Sequence, residues 1–96
     1  MEEINWYEIH NLANRKATLL TKTHVPFQIV AASETGLTVQ VRSGEEHIIS
    51  RANLEKAVVK IQSGTRLNGP KDYRDLIADD RPAYAWAILK HLGYLP

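Results

Sequence analysis

The stretch that most limits how this chain can fold runs from Pro26 to Val59. Within it Leu37, Val39 and Val41 alternate with Thr38, Gln40 and Arg42. A period of two puts the aliphatic side chains on one face of a strand and the polar ones on the other. One dry face and one wet face belong to an antiparallel sheet. The preceding run, Phe27 to Ala32, reads as a partner strand with Phe27, Ile29 and Ala31 on a shared inward face. Glu34-Thr35-Gly36 is the hairpin tip between them, with Gly36 free to take a positive φ. Ser43-Gly44 is a second turn signal, and Glu45 to Ile49 gives a third, short strand.

The period then changes. Leu54, Ala57, Val58 and Ile61 recur at the i, i+3, i+4, i+7 spacing of one helix face. Ser50 is placed as the N-cap, its hydroxyl accepting from a free N–H of the first turn. Gly64 stands where a left-handed residue ends such a helix. These signals together predict a helix over residues 51–62.

On the N-terminal side, residues 4–14 carry a loose apolar face: Ile4, Trp6 or Tyr7, Ile9, Leu12 and Ala13. They read as a helix ending near Asn14-Arg15. Helical continuation would align Ala17 and Leu20 with that face, but Thr18, Thr21 and Thr23 favour a strand over 17–22. On the C-terminal side, Pro70 suits the first turn of a short helix with Tyr73, Leu76 and Ile77 inward. Asp79-Asp80-Arg81-Pro82 is a helix start signal, with carboxylates at the positive end of the helix dipole. The helix it opens, 82–92, is apolar nearly all round, with only Lys90 and His91 plainly polar. Such a helix is normally sandwiched on several sides. Either it is the central core helix, or it leaves an apolar patch around Tyr84 and Trp86 for a second subunit or a partner.

The expected fold is therefore α+β. An N-terminal helix leads into a three- to four-stranded antiparallel meander, followed by three helices on one face. An SH3-like barrel is the alternative arrangement of the same strands. A chain of 96 residues makes a single small globular domain with a thin core, which keeps self-association open.

Composition closes several function classes. Twelve Lys and Arg against eleven Asp and Glu leave a net charge of +1, too little to pull the whole molecule toward nucleic acid or a membrane surface. The absence of cysteine removes disulfides, thiolate catalysis and cysteine-type zinc sites, and suits a cytoplasmic protein. Met1-Glu2-Glu3 is acidic where a signal peptide is basic, and no apolar run approaches the length of a membrane span.

No motif for chemistry stands out. His10, His24, His47 and His91 lack the i, i+4 spacing of a helical metal site. The four serines fall in turns or caps rather than in a nucleophile elbow, and no glycine-rich phosphate loop is present. Asp72, Asp75, Asp79 and Asp80 are interleaved with Lys71, Arg74 and Arg81, which favours caps and surface ion pairs over a cation site. No catalytic residue, cofactor or metal is expected. Nucleic-acid binding would use a basic stripe such as Arg42, Arg51, Lys56 and Lys60, joined by Arg15, Lys16, Lys22 and His24. The wet sheet face, however, offers Thr38, Gln40 and Arg42 and no aromatic on which a base would stack.

The order Thr18-Leu19, Pro26-Phe27, Val39, Ser43-Gly44, Ile49-Ser50-Arg51-Ala52-Asn53-Leu54-Glu55-Lys56-Ala57 and Pro82-Ala83-Tyr84-Ala85-Trp86-Ala87-Ile88-Leu89 resembles small accessory modules of bacterial restriction and DNA-handling proteins. The likeness spans about residues 16–92 and rests on core and cap positions. It implies an accessory module, since the nuclease signature of Pro-Asp followed by an acid-x-Lys is missing. The sequence thus points to a non-enzymatic binding module. Its expected contact surface is Tyr84 and Trp86 with Trp6 and Tyr7, in a homo-oligomer or with a protein partner. A nucleic-acid-binding module is the alternative.

Overall fold

The computed structural model describes residues 4–77 and 81–95. Its elements run α1 (Trp6–Asn14), β1 (Thr18–Leu20), β2 (Pro26–Ala32), β3 (Gly36–Val41), β4 (Glu46–Ser50), α2 (Arg51–Gln62), α3 (Pro70–Ile77) and α4 (Pro82–His91). The four strands form one antiparallel meander in the order β1-β2-β3-β4. The sheet is open: β1 pairs with β2 and β4 with β3, and the two outer strands do not close a barrel. The fold is the α+β arrangement expected from the sequence, with the threonine-rich segment as a strand of three residues.

One face of the sheet is dry. Leu19, Phe27, Ile29, Leu37, Val39 and Ile49 are buried there and join Ile9, Leu12, Leu54, Ile88 and Leu89 in one contiguous core. The opposite face, with Thr18, Leu20, Gln28, Thr38, Gln40 and Ile48, remains open to solvent, and Ile48 is 76% exposed.

The alternation breaks once. Ile29 pairs with Val39, but Ala31 pairs with Thr38 and Ala32 with Leu37. Val30 is the extra residue of a β-bulge, and past it every side chain of β2 changes face. Ala31 is accordingly exposed, and Ala32 takes the inward place expected of it. Leu76, expected inward, is 45% exposed, and α3 buries only Tyr73 and Ile77. An eight-residue helix held on one side has room for one narrow stripe.

Gly36 also differs from expectation. The positive-φ glycines are Gly44, Gly64 and Gly93. Gly36 instead opens β3 opposite Ser50, where a Cβ would lie 2.6 Å from the Ile49 carbonyl oxygen. Glycine is required there by close approach of two backbones rather than by its conformational freedom.

Ser50 caps α2 as its position predicts, accepting from Asn53 N–H at 3.3 Å. Three helices end in the same double hydrogen bond. In α2 it runs from Gly64 to Ile61 and from Thr65 to Lys60, and in α4 from Gly93 to Lys90 and from Tyr94 to Leu89. In α1 it runs from Lys16 to Ala13 and from Ala17 to Leu12, and the left-handed position is held by Lys16 at φ 49°. A side chain in that region costs about 1–2 kcal/mol, part of which glycine returns by its greater freedom when unfolded. Lys16→Gly is expected to stabilise the fold by about 0.5–1 kcal/mol, read as a higher urea midpoint at unchanged slope. A lowered midpoint would show that the Lys16 side chain contributes more than its backbone strain removes.

The start signal at Asp79-Asp80 lies outside the described residues. From Ala85 to Leu89 every residue of α4 is buried. Five consecutive buried positions wrap the whole circumference of a helix, so α4 is covered on several sides. No helix among the described residues is long and apolar enough to cross a membrane.

Candidate binding cleft

Two hairpins share one geometry. At the β3–β4 turn, Gly44 N–H donates to the Val41 carbonyl and Val41 N–H to the Glu45 carbonyl, with Gly44 at φ 92°. At the β1–β2 turn, His24 N–H donates to the Thr21 carbonyl and Thr21 N–H to the Val25 carbonyl, with His24 at φ 67°. The bond pattern and the left-handed fourth residue fit a three-residue loop in which glycine is the usual occupant. Here a histidine stands in the strained position, held by the Thr21 hydroxyl, which accepts from Val25 N–H at 3.1 Å.

That histidine lines a cleft of about 450 Å³ between β1 and α4. Trp86 and Ala87 form its helical wall, and Thr18 through Thr21 its strand wall. Its charged lining is Lys22 and Lys90, with the imidazoles of His24 and His91 beside them. Among the described residues no carboxylate lines it. The two ammonium groups lie 5.9 Å (Lys22) and 5.7 Å (Lys90) from the Trp86 ring centroid, within range of cation–π attraction. Trp86 is only 6% exposed, and its indole N–H donates to the Leu67 carbonyl at 3.0 Å. Lys22 Nζ donates to the Asn68 carbonyl at 2.9 Å, and its stem covers Gly69. The loop before α3 is thus tied to both walls of the cleft. Trp86 and Lys90 are one helical turn apart, which brings both to the same wall.

Such a site can hold negative charge. The Thr21 hydroxyl is engaged in its own turn. Two histidines are too few for a metal centre, and among the described residues no group of three His, Cys, Asp or Glu side chains converges.

The residues singled out in the sequence lie apart from one another. Trp6 is buried, its indole N–H donating to the Ser33 carbonyl at 2.6 Å, and the Arg51 guanidinium lies 4.8 Å from its ring centroid. Arg51 also pairs with Glu55 at 2.6 Å and donates to the Glu34 carbonyl, tying the starts of α1 and α2 to the β2–β3 turn. Trp86 belongs to the opposite end of β2, beside the β1–β2 turn. Seven residues of β2 separate the two turns, roughly 20 Å of strand. Tyr84 is half-buried, edge-on to Phe27 at 5.1 Å and stacked on His47 at 6.1 Å. Of the four aromatics only Tyr7, at 74%, is broadly exposed. Of the basic residues, Arg42 sits in the β3–β4 turn, while Arg51, Lys56 and Lys60 all lie on α2, Lys56 and Lys60 one helical turn apart.

Reasoning from sequence noted Lys22 and His24 only as part of a basic run, and Lys90 and His91 only as the polar positions of an apolar helix. The Trp86/Lys90 spacing was a legible signal. The approach of Lys22 to Trp86 was not. No family model, curated protein or solved structure matches this chain.

Proposed function

We propose that this protein is a non-enzymatic binding module that holds an acidic segment of a partner protein in the cleft between β1 and α4. The observation that carries the reading is the basic lining: Lys22, His24, Lys90 and His91 around Trp86, with no carboxylate among the described residues that line it, in a chain whose net charge is only +1. Concentrating cations in one concave, partly apolar place is what selects an anionic partner and speeds its arrival. A nucleic acid would need phosphate contacts repeated along a stripe. Arg42 lies in the β3–β4 turn, apart from the three cations on α2, and Arg51 is engaged by Glu55, Glu34 and Trp6. An acidic peptide segment fits a local cleft better.

Titration of labelled protein with octaglutamate should move the amide signals of residues 18–24 and 86–91, with an affinity that falls as salt rises. Lys90→Glu should weaken that binding at least tenfold while leaving the spectrum of the core unchanged. Shifts centred on other residues, or an affinity indifferent to Lys90→Glu, would remove the support for this reading.

A further inference from the structure

The cleft is walled by Thr18, Leu19, Leu20 and Thr21 in unbroken succession. Side chains of successive strand residues point to opposite faces of a sheet. Four consecutive residues can therefore line one cleft only if it runs along the strand's edge, where the backbone itself is presented. The register identifies which backbone groups those are. Ala17 accepts from Ile29 N–H, Thr21 donates to Val25, and Leu19 lies opposite Phe27. In an antiparallel ladder alternate residues face the partner strand, so the odd-numbered residues of this segment pair with β2. The N–H and C=O groups of Thr18 and Leu20 point outward. β1 is an outer strand of the sheet, and no turn, loop or side-chain hydrogen bond of the described residues reaches those four groups.

We infer that the partner segment binds by strand addition: an extended acidic peptide lies along β1 as a fifth strand, between β1 and α4. This rests on the cleft being the binding site, and it names how the site is used. Three features meet there. Thr18 and Leu20 supply the free ladder groups that give an added strand its main-chain bonds. Trp86 and Ala87 give an apolar wall for side chains of one parity. Lys22 and Lys90 supply the charge that selects acidic side chains among them, with the His24 and His91 imidazoles beside them. A short strand followed by lysine is also a common way of blunting an edge against indiscriminate pairing. What sets this edge apart is the lysine-bearing cleft beside it, which favours an acidic strand over a basic one. The same lysine serves both ends.

The test uses an eight-residue peptide of alternating glutamate and valine, and two variants N-methylated at all valines or at all glutamates. Charge is identical in the three, and each methylated set blocks one edge of the peptide. Strand addition predicts that one methylated peptide binds like the parent and the other at least tenfold more weakly. It also predicts that the parent slows amide exchange at Thr18 and Leu20 at least tenfold, with little change at Leu19, which is already paired. If all three peptides bind alike, Lys90→Glu weakens each, and exchange at Thr18 and Leu20 is unaltered, strand addition is overturned and the cleft remains a charge-selective site. If none shifts residues 18–24 and 86–91, or Lys90→Glu has no effect, the cleft reading fails and the inference fails with it.

Discussion

Trp86→Ala is expected to remove about 3–5 kcal/mol of folding stability, seen as a large drop in urea midpoint. Trp86 is only 6% exposed and is the second of five consecutive buried residues of α4. Its loss leaves a cavity that the sheet on one side and the loop at Leu67 on the other cannot both close. A domain of this size holds about 5–15 kcal/mol in all, so the variant sits close to unfolding. Trp86→Phe separates the two contributions of the residue. It keeps most of the apolar contact and leaves the Leu67 carbonyl without its donor, at about 1–3 kcal/mol. That variant should fold while loosening the loop that Lys22 also holds. A loss below about 1 kcal/mol for Trp86→Ala would mean that the ring is peripheral, and the cleft would lose its rigid wall.

The second large effect is Gly36→Ala. Gly36 is in strand conformation with no positive φ, so by conformational entropy alone alanine would stabilise by about 0.4–1 kcal/mol. The new Cβ would stand 2.6 Å from the Ile49 carbonyl oxygen, however, and that atom belongs to the neighbouring backbone. The β3–β4 pair must open there, next to the Ser50 cap and the Thr35–Arg51 hydrogen bond at 3.0 Å. Overpacking of this kind costs about 1–3 kcal/mol, which outweighs the entropic gain. Thermal unfolding should show a loss of several degrees. A raised melting temperature would show instead that the sheet edge yields freely at this point.

Both variants act at places where reading the chain locally was insufficient. The helix over 51–62, the strand from Leu37 to Val41 and the stop at Gly64 were legible because each depends on neighbours a few residues away. The turn at Glu34-Thr35-Gly36 was legible as a turn, but the reason for its glycine was not, since the atom that excludes a Cβ lies thirteen residues further on. The bulge at Val30 was hidden for the same reason. Its sequence is compatible with plain alternation, and only pairing with β3 shows that Ala32, rather than Ala31, meets Leu37.

The aromatic residues and the cleft show the boundary most sharply. From sequence alone Trp86 was either a core residue or an interface anchor, because a helix apolar all round does not say what covers it. Burial among α4's neighbours is a property of the assembled layers. The cleft draws one wall from residues 18–24 and the other from 86–91, separated by more than sixty residues of chain. By itself the sequence determined the elements, their order and the α+β class, because periodicity, caps and turn residues act over one or two turns of backbone. The tertiary structure alone decided that both tryptophans are covered, which strand edge borders the cleft, and which cations share it. Those depend on contacts between segments that no local spacing encodes.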